Sequence, residues 1–264
     1  MIPKIIHYCW FGCNPLPELA LRCIESWKKF LPDCEIKEWN EDNYDVHKIP
    51  YISEAYDSKK YAFVSDYARF DILYKHGGIY FDTDVEVIKD LSQIIQQGAF
   101  AGVECAGALN AGLGIASPAA MPIFKEVLDS YQEEHFVNQD GSLNLKTVVT
   151  RVSEIFYKHG FVKEEQIQDV AGVRVYPTEY FCPKDYKTGL LNITDKTYTV
   201  HWYDASWWNE NDKIRKKFAV KIISKIGDNF ISKNIIRIYN LISNIKEKGL
   251  YKALLFYIKL FKKS

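Results

Sequence analysis

The sequence predicts an α/β fold followed by a basic helical tail, and three observations carry that reading. An apolar run, an amphipathic segment and a second short strand-like run follow one another within residues 4–39, the spacing of a βαβ unit. A segment of helical periodicity over Tyr61–His76 runs straight into Gly77-Gly78 and a short apolar strand. The charge also changes sign along the chain. Residues 213–264 carry 14 Lys and Arg against 2 acids, a net +12, which leaves the first 212 residues at −12 within a total of zero.

The elements follow in order. Residues 4–11 form a buried first strand, closed by Gly12 and the loop Asn14-Pro15-Leu16-Pro17. Glu18–Phe30 places Leu19, Cys23, Trp27 and Phe30 near helical spacing, and Pro32-Asp33 ends it. Glu35–Trp39 alternates as a half-buried strand, which makes a parallel sheet the natural partner of the intervening helix. In Tyr61–His76, Phe63, Tyr67, Phe70 and Tyr74 step by three or four, and Gly77 caps the C-terminus. Ile79–Val85 reads as a strand, Ala99–Val103 as another, and Leu109–Ser117 as a small-residue stretch that lets backbone approach a ligand. Helices are predicted near Met121–Glu134 and over Leu145–His159, and strands over Val173–Pro177 and Thr197–Trp202. The boundary falls at residue 211, with a domain over 1–211 and a tail over 212–264.

The 264-residue length allows one large domain plus an appendage, and 47% hydrophobic with 26% charged residues is ordinary for a globular chain. Six cysteines without Cys-x-x-Cys or zinc spacing read as reduced thiols of a cytosolic protein. The N-terminus has no long apolar h-region, and no run approaches the roughly 20 apolar residues of a membrane span. The aromatic share of 15% supplies stacking platforms for bases and sugars as well as core.

The chemistry concentrates on Asp82-Thr83-Asp84. In an extended strand, residues i and i+2 share a face, so two carboxylates would stand side by side and repel unless a hard divalent cation, Mg²⁺ or Mn²⁺, lies between them. Such a cation keeps open positions for phosphate oxygens. Asp66 and Arg69, three apart on the preceding helix, share a face that suits sugar hydroxyls and phosphates, or an ordinary ion pair. Asn110 in the small-residue stretch is a candidate contact, and His201, among tryptophans near the end of the acidic body, is a candidate third ligand. In the tail, Ile214, Phe218, Ile222 and Ile226 recur every four residues. Ile231, Ile235, Ile238, Ile242 and Ile245 alternate by four and three among Lys and Arg. Basic amphipathic helices suit an anionic membrane surface or packing on the acidic body. No basic platform interleaved with aromatics appears, so no nucleic-acid partner is expected.

These residues resemble a known family. Ile2–Gly12, the run Ser65-Asp66-Tyr67-Ala68-Arg69-Phe70 through Gly77–Val85, Tyr176–Pro183, and His201-Trp202 to Ser206-Trp207 look like the blocks of family 32 glycosyltransferases. That group includes Och1-like and capsular-polysaccharide enzymes with a sugar-binding DXD region, and its layout is similar to the glucosylating domain of large clostridial toxins. The resemblance spans about residues 2–207 and implies a GT-A fold, a Rossmann-like mixed sheet flanked by helices. It also implies a nucleotide-sugar donor, a divalent cation (usually Mn²⁺) and retention of anomeric configuration. Carried over by position, Trp10 stacks on the donor base, and Asp66 and Arg69 hold donor sugar and phosphates. Asp82 contacts ribose and ion, Asp84 ligates the ion, His201 joins it, and Ser206 with Trp207 closes over the donor. His7, Tyr80 and Asn110 complete the expected donor site. Many relatives carry Gly-Pro around Asn144–Thr147 and this chain does not, which removes one expected sugar or acceptor contact.

The expected reaction is metal-dependent transfer of a hexose, from a UDP-sugar by preference, to a hydroxyl of a glycan or lipid-linked saccharide in surface polysaccharide synthesis. The expected location is the inner face of the cell membrane, with the protein peripheral. No carboxylate stands out as a covalent nucleophile, so front-face substitution is expected. A nucleotidyltransferase or phosphodiesterase also uses paired aspartates, but it wants a third or fourth carboxylate that the sequence does not place near Asp82. A sugar-binding scaffold on a dead transferase domain would not need Asp82, Asp84, Arg69 and Trp10 together.

Overall fold

The computed structural model describes residues 1–104, 107–204 and 210–248, and these form two compact units. The first unit comprises Met1–Lys184 and Leu191–Trp207. It opens with β1 (Ile5–Cys9), α1 (Glu18–Phe30) and β2 (Glu35–Trp39), with β1 and β2 parallel as the spacing predicts. After α2 (Pro50–Asp57) comes α3 (Tyr61–His76), a helix apolar on most of its circumference and buried from Phe63 to Leu73 except at Ser65 and Asp66. Gly77 and Gly78 both have positive φ, and a Cβ on Gly78 would lie 2.7 Å from the Ile5 carbonyl oxygen, so only glycine lets α3 drop directly into β3 (Gly78–Tyr80) beside β1.

The chain continues through β4 (Val85–Val87), α4 (Ser92–Gln96), β5 (Phe100–Glu104), β6 (Ala108–Ser117), α5 (Pro122–Asp129) and α6 (Val148–Lys158). It then passes β7 (Gln168–Val170), β8 (Val173–Tyr176), α7 (Thr178–Phe181) and β9 (Thr199–His201). Seven strands form one mixed sheet in the order β2-β1-β3-β6-β5-β8-β7, and β4 pairs with β9 in a separate antiparallel ribbon. The expected mixed sheet flanked by helices is what the described residues form.

The alternation of a strand fixes both faces of the sheet. Tyr80 joins the core built with α2, α3, α5 and α6, while its neighbours Ile79 and Phe81 join the core built with α1 and α4. Each such fully buried large apolar side chain stabilises the fold by about 1.5–3 kcal/mol.

Three readings change. Leu109–Ser117, read from the sequence only as a small-residue stretch, is a strand with a wide bulge. Gly102 pairs with Asn110 and Ala101 with Ile115, so Ala111–Gly114 have no partner on β5. Asp82 and Asp84 also do not lie on an extended strand. β3 ends at Tyr80, and a turn closed by the Val85 N–H donating to the Asp82 carbonyl carries both acids. The helix expected over Met121–Glu134 is shorter, because the chain turns after Asp129.

The second unit comprises Asp185–Leu190 and the chain after Trp207. Its described helices, α8 (Glu210–Ile226) and α9 (Phe230–Lys248), form an antiparallel hairpin. Phe218 stacks on Tyr239 with ring centroids 3.8 Å apart, and Arg215 Nε donates to Ser243 Oγ.

Candidate active site

The site lies where parallel strands β1 and β3 end, the edge at which open α/β sheets hold ligands. The β6 bulge reaches the same edge. The Asp82 N–H donates to the Gly112 carbonyl, and a Cβ on Gly112 would fall 2.0 Å from Asp82 Oδ2. Glycine at this position is what leaves room for the carboxylate.

Asp82 is held from two sides. The Tyr80 hydroxyl donates to Oδ1 at 3.0 Å, and Arg69 Nη2 stands 3.2 Å from the same oxygen. Arg69 Nη2 also donates to Asp66 Oδ1 at 2.9 Å, Nε donates to the Ser65 carbonyl, and the guanidinium lies over the Tyr80 ring. The side chain of Arg69 is only 4% exposed, so its orientation is fixed before any ligand arrives. Burial opposes its charge, but Asp82, Tyr80 and Asp66 more than compensate, and it stays a cation. Burial pushes the Asp66 carboxyl up to about 6; Arg69 pulls against this and Asp82 adds to it. Burial likewise raises the Tyr80 phenol well above its ordinary range, so it remains a donor.

Asp84 occupies the other end of the turn. Its Oδ1 is 3.1 Å from His201 Nε2, and its Oδ2 accepts the Asp204 N–H at 2.9 Å. The β4–β9 ribbon sets this pair, because Val85 and His201 are register partners. Burial works against the Asp84 charge, yet the His201 charge and the hydrogen bonds from His201 and Asp204 hold its carboxyl below the usual range. Burial lowers His201, and Asp84, with Asp82 and Glu104 behind it, reverses the sign and raises it.

One donor atom each from Asp82, Asp84 and His201 lies within 4.8 Å of the other two. The buried His201 Nδ1 has no hydrogen-bond partner among the described residues. Two carboxylate oxygens and an imidazole nitrogen suit Mn²⁺ or Mg²⁺, and three ligands leave further positions open, so these residues fit a divalent cation.

The other expected residues divide. Trp10 follows β1 at the same sheet edge, half-buried, with Nε1 donating to the Asn14 carbonyl. Asn110 is buried at the start of the bulge; its Oδ1 accepts the Gly112 N–H and its Nδ2 donates to Glu104 Oε2. His7 is not brought to the carboxylates. Its Nε2 pairs with the Gly77 carbonyl oxygen and its Nδ1 accepts from Trp39 Nε1, so both ring nitrogens are committed inside the fold. Ser206 and Trp207 lie outside the described residues.

Three contributors were not singled out from sequence. Gly112 supplies the clearance for Asp82, the Asp204 N–H anchors Asp84, and Glu104 anchors Asn110. Glu104 closes a short apolar strand, the one local signal that pointed to it. Gly112 and the Asp204 amide have none, because a backbone role leaves no side-chain pattern.

Residues 17–101 match the family described as glycosyltransferase sugar-binding region containing DXD motif. Inositol phosphoceramide mannosyltransferase 3 of Schizosaccharomyces pombe is 34% identical over 103 residues, covering 38% of this chain and 29% of the relative. The uncharacterized glycosyltransferase L373 of Acanthamoeba polyphaga mimivirus is 35% identical over 106 residues, covering 38% of this chain and 42% of its own. The matched segment thus spans less than half the length of these curated relatives. Among solved structures, the PaToxG glycosyltransferase superposes on 60% of this chain and 69% of its own with 20% identity and a TM-score of 0.44. The stretch that matches this family, residues 17–101, takes in Asp82-Thr83-Asp84 and, upstream of it, Asp66 and Arg69.

Proposed function

We propose that the chain is a metal-dependent, retaining glycosyltransferase. It moves a hexose from a nucleotide-sugar, a UDP-sugar by preference, to a hydroxyl of a glycan or lipid-linked saccharide in surface polysaccharide synthesis. The observation that carries this is the convergence of Asp82, Asp84 and His201, with Arg69 fixed against Asp82. Asp82, Asp84 and His201 would hold Mn²⁺ or Mg²⁺, which when bound supplies charge neutralisation at the leaving diphosphate.

The chain's own residues do the rest. Arg69 points a preoriented cation toward the same negative charge, and the low exposure of its side chain makes that charge count for more than it would in water. Asp66 and Asp82 keep the guanidinium from swinging away. Asp82 is assigned to ion and ribose, Asp84 to direct ligation, and Trp10, Tyr80 and Asn110 to donor contacts, with Ser206 and Trp207 closing over the donor. His7 is assigned a structural role. The acceptor hydroxyl attacks from the leaving-group side, so no covalent glycosyl-enzyme forms. The basic tail holds the enzyme peripherally at the inner face of the cell membrane, near a lipid-linked acceptor. None of the described helices is long and apolar enough to cross a membrane.

The test is a panel of UDP- and GDP-sugars with Mn²⁺, following free nucleoside diphosphate. Metal-dependent release that Asp84→Asn abolishes supports the transferase. Release of nucleoside monophosphate would instead indicate a phosphodiesterase or nucleotidyltransferase, and binding without turnover a sugar-binding scaffold.

A further inference from the structure

The basic tail was expected to present two amphipathic faces, and the hairpin divides them differently. On α8, Phe218 and Ile222 are half-buried, and Phe218 is spent on Tyr239 of α9. Among the described residues of the hairpin, what remains outward is Ile214 on α8, the hairpin tip and one ridge of α9. At the tip Phe230 is 79% exposed and Ile231 63%, with Ile226 exposed just before the turn. Along α9, Ile238 at 59% and Ile242 at 49% continue the line from Ile231 at intervals of seven and four, which is one helix face.

The tip is a built turn and not a frayed end. Asn229 Oδ1 accepts the N–H groups of Ile231 and Ser232, the Ser232 hydroxyl donates to the Asn229 carbonyl, and Gly227 takes a positive φ. The chain therefore holds its largest exposed apolar side chains in a fixed, outward position. A run of exposed isoleucines and a phenylalanine is costly to leave in water.

Its surroundings identify the occupant. Lys221 and Lys225 on α8 and Lys233 and Lys246 on α9 are exposed, and residues 213–264 hold only two acids, Asp228 and Glu247. Asp228 is already paired with Lys233. Apolar anchors within a cationic field fit a surface that is apolar inside and anionic outside. The first 212 residues carry the opposite charge and would be repelled by that surface, so contact falls to the hairpin.

We propose that the α8–α9 tip (Ile226, Phe230, Ile231) and the α9 ridge (Ile238, Ile242) dock in the headgroup layer of an anionic lipid bilayer. The hairpin lies in the interface and does not cross it. This deepens the membrane placement proposed above and rests on that reading only for its purpose, because docking requires no turnover.

The experiment uses the full chain with vesicles of phosphatidylcholine alone and of phosphatidylcholine with phosphatidylglycerol, separated by sedimentation. Binding is expected only to the anionic vesicles and falls as salt is added. The pairs Phe230→Ser with Ile231→Ser, and Ile238→Ser with Ile242→Ser, keep the net charge and are each expected to lower the partition coefficient at least tenfold. Far-UV circular dichroism and the melting temperature should stay at wild-type values, since every substituted side chain is exposed. Undiminished binding in both pairs would overturn the proposal, because charge alone would then suffice. Equal binding to neutral vesicles would overturn it as well. So would a dimer in light scattering that Ile238→Ser with Ile242→Ser dissolves, because the ridge would then belong to a second copy. Donor turnover without vesicles is scored separately: its absence refutes the transferase reading and leaves docking standing, while turnover without vesicle binding refutes docking alone.

Discussion

Replacing Gly112 by alanine tests how tightly the site is built around Asp82. The added Cβ would lie 2.0 Å from Asp82 Oδ2 and 2.9 Å from its Cγ, where real Cβ contacts essentially never fall below 3.0 Å, so the carboxylate must retreat by about 1 Å. It cannot do so freely. Tyr80 and Arg69 hold Oδ1 at 3.0 and 3.2 Å, and the Asp82 N–H is tied to the Gly112 carbonyl itself. The retreat therefore changes the relation of Asp82 to Asp84 and His201. A misplacement of about 1 Å in a positioning group costs on the order of 100-fold in rate. Stability should fall by no more than about 1–3 kcal/mol, the cost of overpacking the site, offset in part because Gly112 has no positive φ and alanine restricts the unfolded chain by up to about 1 kcal/mol. The assay is metal-dependent release of nucleoside diphosphate from the donor that the wild type accepts, alongside a thermal melt. A folded variant destabilised by no more than that, with turnover down about 100-fold, supports the reasoning. Turnover within about twofold of wild type would refute it, since the site would then tolerate a displaced Asp82.

Other consequences are testable without a donor. Trp27 is fully buried and its Nε1 donates to the Val85 carbonyl at 2.8 Å, just beyond the Asp82–Asp84 turn. Trp27→Ala should cost about 3–5 kcal/mol in denaturant unfolding. Trp27→Phe, which loses only the hydrogen bond and part of the ring, should cost about 1–3 kcal/mol. Burial pushes His7 down to about 4 from 6.5, with its bond to the Gly77 carbonyl oxygen working the other way. A folded value below the unfolded one means that protonation favours unfolding. This contribution is whole above pH 6.5 and is lost as pH falls toward 4, worth about 3 kcal/mol across that window, and His7→Gln should flatten that part of a stability–pH curve. Burial opposes the charge of Asp71, but Lys48 and Lys75 hold its carboxyl below the ordinary range. Its contribution is present above the unfolded value of about 3.9 and is lost as pH falls through the lower folded value. Asp71→Asn should cost about 1–3 kcal/mol near neutral pH, measured by chemical denaturation.

What the sequence disclosed was local. Asp66, Arg69, Asp82 and Asp84 are legible because one helix runs through a glycine turn into the acidic segment, and helical spacing puts the first two on one face. The α1 and α3 boundaries agree with their periodicity to the residue. The geometry of the acidic pair was harder, since the turn joining Asp82 to Val85 has no side-chain signature and looks like a strand. β6 escaped because it is buried on both faces, so no polar–apolar alternation marks it, and its alanines and glycines resemble a loop. His201 stood out in the sequence as a candidate third ligand, but its placement beside Asp84 depends on pairing between Val85 and His201, far apart in the chain, which no local pattern carries. Glu104 and the bulge that aims Gly112 at Asp82 needed the sheet register, which no local pattern carries.

The central claim is that Asp82, Asp84 and His201 hold a divalent cation for a nucleotide-sugar. Its most direct measurement is Mn²⁺ binding to the full chain by electron paramagnetic resonance, with and without UDP. One tightly held ion per chain is expected, held more firmly with UDP present, and lost in both Asp84→Asn and His201→Ala variants that melt like the wild type. Undiminished Mn²⁺ binding in both variants, or none in the wild type with UDP, would contradict it.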